Sequence, residues 1–173
     1  WTRMEDFPLF GDNAGDYFGK SVALSRDGKR LLVGAPGSNS PGYIRLYQWL
    51  ETSWRLLFEQ VGEDSDEALG TSVEMLSDQG DIIAVGAPNY FDGAGRIVVY
   101  QQRMDEDTYT QVGPDIVGAA GDRLGSARSF AGGTDISGSP TLVFSSESGL
   151  VVRLDYNKEM NSWEQRFHNL PMV

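Results

Sequence analysis

The stretches RLLVGAP (Arg30–Pro36) and DIIAVGAP (Asp81–Pro88) decide the fold. Each is an apolar run of strand length halted by Gly-Ala-Pro. An unbroken run of this kind fits a β-strand covered on both faces. The glycine, lacking a Cβ, admits either a close backbone neighbour or a positive φ, and the proline has no N–H to continue a ladder. A third copy, TLVFS (141–145), has the same shape, with Ser145, Ser146 and Glu147 at the Gly-Ala-Pro place.

Working outward, other anchors keep the same step. Upstream, Gly19 recurs at Gly70 and Gly125, after 51 and 55 residues. Downstream, Gly42 recurs at Gly95 and Gly149, each opening an alternating run: YIRLY, RIVVY and LVVRL. The aromatic series Trp1, Trp54, Tyr109, Trp163 steps by 53, 55 and 54 residues. Several anchors in register define a repeat, and a period of this length belongs to stacked or radial architectures.

Each repeat divides into four short β segments separated by Gly, Pro, Asn or Asp, the pattern of a four-stranded blade. In the first repeat these are Lys20–Ser25, Arg30–Gly34, Tyr43–Trp49 and Trp54–Gln60. The third segment places Ile44, Leu46, Ile97 and Val99 on one face and Arg45, Tyr47, Val98 and Tyr100 on the other, which predicts a strand nearer the rim. The recurring aromatics read as packing anchors of the outer strand. The fold class is therefore all-β, three four-stranded antiparallel blades of a partial propeller. The parse gives an outer strand at 1–10 without its own blade, then repeats at 11–61, 62–117 and 118–173. Three blades do not close a ring, since propellers close with about four to eight. Further blades, from the same or another chain, are expected to complete it.

The string Phe18–Gly19, then SVALS, then LLVGAP, then the alternating strand after Gly42, resembles the FG-GAP repeat of integrin α-subunits. The resemblance covers essentially the whole chain three times, with Leu69 and Leu124 replacing the Phe. It implies a seven-bladed propeller that binds protein partners or acts as a spacer, without catalysis. It also implies a secreted or cell-surface setting, an accessory subunit of an organellar assembly being the other reading. The family's calcium loop lies between the first and second strands. Here those loops read SRDGKR, SDQGD and AGGTDISGSP. Asp27, Asp78, Asp81 and Asp135 supply one or two carboxylates per loop, short of the roughly six to eight oxygens calcium takes. No calcium or other cofactor site is carried over, so the repeat is of the calcium-free variety. In the third repeat Arg128 stands where Val22 and Val73 read as core, so its first strand is expected to be displaced, as in a terminal blade or one adapted to a partner.

Composition narrows the function. The 173 residues carry 14 Lys and Arg against 25 Asp and Glu, a net charge of −11, which argues against nucleic acid. The acidity reads as solubility or as attraction for a cation or a basic partner. With no cysteine and a single histidine, His168, neither a disulfide framework nor a transition-metal site is indicated. No nucleophile motif or P-loop occurs, and no run approaches the about 18 apolar residues of a membrane span.

The candidates for partner binding are the acidic residues in the loop before each FG position: Asp12, Asn13 and Asp16; Glu63, Asp64, Asp66 and Glu67; and Asp122. Equivalent loops of successive blades share one face, so the carboxylates could form one acidic rim. The competing reading is that such clusters are ordinary turn formers. Asp105–Asp107 reads as a solvated hairpin tip. A lectin-like cation- or carbohydrate-binding propeller, and a glycosidase needing two carboxylates in one pocket, are the alternative functions.

Overall fold

The computed structural model describes residues 8–37, 40–103, 107–127, 129–147, 149 and 151–165. They form three antiparallel sheets in chain order. The first contains β1 (Ser21–Leu24), β2 (Arg30–Ala35), β3 (Tyr43–Leu50) and β4 (Ser53–Val61), paired in that order. The second contains β5 (Ser72–Met75), β6 (Ile82–Ala87), β7 (Arg96–Gln102), β8 (Tyr109–Gln111) and β9 (Ile116–Val117). Here β8 and β9 both pair with β7, because Gly113 and Pro114 interrupt what is one fourth strand in the first sheet. The third contains β10 (Phe130–Thr134), β11 (Pro140–Ser145), β12 (Val151–Asn157) and β13 (Ser162–Gln165). Between β6 and β7 lies one helical turn, α1 (Tyr90–Gly93), in which Phe91 and Asp92 take φ of 44° and 58°. Of the outer strand expected at 1–10, residues 1–7 lie outside the described residues, as do Arg128 and His168.

The cross-strand pairs Leu31↔Tyr47, Ile83↔Tyr100 and Leu142↔Leu154 are equivalent, which fixes the structural alignment of the three sheets. The core is two layers, each between successive sheets. In one, Leu32, Ile44 and Leu46 of the first sheet meet Val73, Ile83, Val85, Val98 and Tyr100 of the second. In the other, Ala84, Ile97 and Val99 meet Leu142, Phe144, Val152 and Leu154 of the third. Each fully buried Leu or Ile contributes roughly 1.5–3 kcal/mol relative to exposure.

This layering corrects two expectations. The alternation expected of the third segment is absent from β7: Val98 and Tyr100 are buried as well, because the middle sheet has a neighbour on each side. Val22 is not core. It is 61% exposed, whereas its equivalent Val73 is 9% exposed, because the first sheet covers that face of the second and no sheet precedes the first among the described residues. The first strand of the third sheet is displaced as expected. Phe130 pairs with Phe144 where Val73 pairs with Val85, which is five residues past Gly125 instead of three past Gly70.

Successive sheets meet through one repeated joint. Gly34 and Gly86, neither with positive φ, lie so close to the next sheet that a Cβ would strike the carbonyl oxygen of Gly70 or Gly125. That carbonyl accepts a hydrogen bond from the preceding sheet's serine, Ser21 Oγ to Gly70 and Ser72 Oγ to Gly125, both at 2.7 Å. Parallel bridges Gly42↔Leu69 and Gly95↔Leu124 flank it. The FG glycines must be glycine for a different reason: Gly19, Gly70 and Gly125 have φ of 87°, 88° and 86°. The aromatics add staples. Arg30 donates to the Tyr109 hydroxyl at 2.6 Å, and Trp163 Nε1 donates to the Pro114 carbonyl at 3.1 Å.

Candidate functional site

The loops that enter each FG position close on themselves by one rule. The acidic residue three before the FG glycine accepts the N–H of the residue three before it: Asn13 to Asp16 at 3.1 Å, Asp64 to Glu67 at 3.3 Å, and Ala119 to Asp122 at 2.9 Å. Its own carbonyl accepts an N–H from the loop after β2, β6 or β11: Gly37 to Asp16, Asn89 to Glu67, Glu147 to Asp122, at 2.8, 3.2 and 3.0 Å. Three of the sequence candidates, one in each blade, thus hold two loops of their own blade together.

Each site adds its own electrostatics. Asp16 also accepts from the Tyr43 hydroxyl at 2.7 Å and from the Phe18 N–H at 3.2 Å. Burial works against its charge, but these bonds, with that from Asn13, hold its carboxyl below the usual aspartate range. Burial, and then the bond to Asp16, push the Tyr43 hydroxyl up to about 12. Arg45 stacks over the Tyr43 ring at 4.8 Å and pairs with Asp12 at 2.6 Å and with Glu59.

In the second blade Glu67 is fully buried and paired with Arg96 at 2.6 Å. It also accepts the Glu63 N–H at 2.7 Å. Arg96 reaches Asp115 at 2.5 Å and Glu63 at 3.5 Å, and lies 4.3 Å from the Tyr90 ring centre. Burial opposes its charge, yet Asp115 and Glu67 hold it firmly protonated. Arg96 is not apparent as a partner of Glu67 from spacing alone, since it opens the third strand of its blade.

The remaining candidates, Asp12, Asn13, Glu63, Asp64 and Asp66, are exposed. Asp64 and Asp66 line a cleft of about 580 Å³ with Asn89, Phe91, Asp92 and Arg123. The sequence reading missed Phe91 and Asp92. Phe91 is 75% exposed and held by the left-handed turn, and NYFDG gives no repeat signal by which to find it. Asp12, Asn13 and Asp16 sit in the first blade's loop and do not line this cleft.

The turns between first and second strands are occupied by their own hydrogen bonds. Asp27 accepts from Ser25 and Lys29, Asp81 from Ser77, and Asp135 from Ser137 and Ser139, while Asp78 pairs with Arg26 at 2.9 Å. Among the described residues no group of three or more His, Cys, Asp or Glu could hold a metal ion. The cleft along the inner strands, lined by Lys20, Ser72, Glu74 and Phe130, contains one carboxylate, which burial raises above the usual glutamate range. Asp107 of the hairpin tip pairs with Arg55 at 2.9 Å; Asp105 and Glu106 lie outside the described residues.

The FG-GAP repeat family matches residues 11–44, the span from the first acidic loop through the GAP strand to the start of β3. The chain carries an FG-GAP repeat. Integrin alpha-11 of Mus musculus is 31% identical over 120 residues, and that of Homo sapiens 28%, each over 62% of this chain. The FG-GAP chain spans about a tenth of the length of these relatives. In structure it resembles a putative 6-phosphogluconolactonase from Bacteroides fragilis, with TM-score 0.61 and 11% identity over 90% of this chain and 39% of that one. A second, from Bacteroides uniformis, gives TM-score 0.53 and 12% identity over 83% and 38%. These likenesses show the fold: the three sheets are propeller blades. Among the described residues of the FG-GAP chain no helix is long and apolar enough to cross a membrane.

Proposed function

We propose that this chain is a non-catalytic protein-interaction module, and that it engages its partner through the loop face carrying Asp64, Asp66, Phe91 and Asp92. The similarity to integrin alpha-11 over 120 residues favours an interaction role. The observation that carries the site is the exposure of Phe91, an aromatic on a turn with two consecutive left-handed residues, at a cleft lined by Asp64, Asp66, Asp92 and Arg123. An exposed aromatic anchor ringed by charge is how interfaces concentrate binding energy. The partner it fits presents an apolar pocket with basic residues at its rim. Glu67 supports this loop by accepting the Asp64 N–H.

The test is selection of displayed peptides on the immobilised chain. Basic sequences with an apolar anchor are expected, their binding lost in a Phe91→Ala, Asp64→Lys, Asp66→Lys variant that melts at the unmodified temperature. Undiminished binding by that variant contradicts the proposed site.

A further inference from the structure

We infer that the free edge of β10, where that strand runs up to its hairpin turn, takes an extended peptide segment of a partner as an added strand. The inference goes beyond the Phe91 face: it concerns the other end of the strands, other residues and another mode of binding.

The three hairpins between first and second strands turn alike. A glycine N–H closes each, Gly28 on Ser25, Gly80 on Ser77 and Gly138 on Asp135, at 2.9, 3.0 and 2.9 Å, which puts Arg26, Asp78 and Ile136 at one place in the turn. The first two turns are tied: Arg26 donates to Asp78 from its backbone N–H and from its guanidinium, both at 2.9 Å. The third is untied among the described residues. Its ladder runs two pairs further, Gly133↔Thr141 and Thr134↔Pro140, than the ladders ending at Leu24↔Leu31 and Met75↔Ile83. The third hairpin thus overshoots the second turn, and a cleft of about 740 Å³ lies between them, lined by Leu24, Met75, Ser77, Gln79 and the β10 residues 132–134.

Along that cleft β10 presents an unpaired backbone. The Ser145 N–H donates to the Ser129 carbonyl and the Asp135 N–H to the Ser139 carbonyl, so the odd residues from 129 to 135 bond towards β11. Antiparallel pairing alternates, and Gly132 and Thr134 therefore turn their N–H and C=O groups away from β11. These groups have no partner among the described residues, and both residues are exposed. Natural edges are blunted by lysine, proline or a bulge. The β10 sequence FAGGT has none of the three, and its ladder runs without a register shift. Gly132 is glycine for packing, since a Cβ would lie 2.6 Å from Leu76 Cδ2, but Gly133 has no positive φ and no neighbour nearer than 3.9 Å. A strand glycine that the fold does not require marks the close approach of another backbone.

The edge defines its occupant. Alternate N–H and C=O groups at strand spacing are complementary to another extended backbone, which is how strand addition recognises a peptide. The second turn bounds the cleft on its far side, so a single segment enters where a folded sheet does not. Leu24, 58% exposed, and Met75 call for an apolar side chain on the residue that faces them. Ile136, wholly exposed at the tip, offers a second apolar contact.

The test is a selection of displayed linear peptides on the full chain carrying Phe91→Ala, Asp64→Lys and Asp66→Lys, which removes the other proposed face. Peptides with apolar residues at alternate positions are expected. The tightest of them, made synthetically, is expected to slow amide exchange at Gly132 and Thr134 by at least about tenfold. Thr134→Pro removes only an outward N–H and is expected to weaken that peptide by about three- to tenfold. Leu24→Asp, at an exposed position, takes its place should the proline variant melt lower. N-methylation of the peptide's alternate amides, in each of the two phases, separates strand addition from side-chain capture: one phase is expected to abolish binding and the other to keep it. The inference is overturned by a selection that returns no such peptide, by equal effects of the two methylated phases, or by binding indifferent to Thr134→Pro and Leu24→Asp. It is also overturned if the chain alone dimerises and Thr134→Pro returns it to monomer, the edge then belonging to a second copy. Because the selection is made without the Phe91 face, its failure leaves the interaction reading of that face standing, and failure of that reading leaves this one standing.

Discussion

The hydroxyl of Ser72 donates to the carbonyl of Gly125 at 2.7 Å, joining two blades across 53 residues of chain inside the buried layer. Ser21 and Gly70 repeat the bond in a partly buried setting. Ser72→Ala is therefore expected to cost about 1–2 kcal/mol, the Gly125 carbonyl being left unsatisfied away from water. Ser21→Ala should cost less. Chemical denaturation of both variants checks the order.

The glycines of the GAP triplets are there for space. Gly86→Ala puts a methyl against the Gly125 carbonyl oxygen and Ser72 Oγ, both backbone and side chain being fixed by the joint. A loss of at least about 2–3 kcal/mol is expected, at the upper end for overpacking. Gly133→Ala is the control. Gly133 has no positive φ, and its nearest neighbour would lie 3.9 Å away, so that variant should be neutral within error. Thermal melts of the two variants make the comparison.

Arg96 and Glu67 form a buried pair whose members cannot be removed singly. Arg96→Met leaves the Glu67 carboxylate, at 0% side-chain exposure, without its cation, and a loss of about 3–5 kcal/mol is expected. Adding Glu67→Gln should restore much of it. A double-mutant cycle reads the coupling directly, and simple additivity would contradict the pairing.

The repeat and the blade order were legible in the sequence because Gly19, Gly34 and Gly42, with their copies, are required by backbone geometry, which leaves a mark at fixed spacing. The burial of Val98 and the exposure of Val22 were not. Both depend on whether a blade has neighbours, and a strand's own sequence does not carry that information. The same limit hid the site. Asp16, Glu67 and Asp122 stand at one repeat position and were picked out by charge, but their shared task, closing a loop on the N–H three residues back, is visible only in three dimensions. Phe91 and Asp92 belong to one blade alone, so no period could single them out.

Acid should loosen the first blade's loop. Asp16 has its folded pKa lowered, so its contribution is complete above the unfolded aspartate value and is lost as pH falls through the lower folded value. Glu74 has the opposite sign. Burial raises its pKa, so its neutral form favours the fold, and that contribution fades as pH rises through the raised value. Asp16→Asn is expected to flatten the acid limb of the stability curve, and Glu74→Gln to raise stability at neutral pH. Denaturation measured from acid to neutral pH tests both signs.

The central claim is that each repeat is a sheet laid against the next through its FG loop. The Leu69 N–H donates to the Pro41 carbonyl at 2.9 Å, and the Leu124 N–H to the Ala94 carbonyl at 3.0 Å. Through-hydrogen-bond scalar couplings measured by NMR between these nitrogens and carbonyl carbons test it most directly. Both couplings are expected, with slow exchange at both amides. Their absence, with Leu69 and Leu124 exchanging as freely as loop residues, would contradict the account.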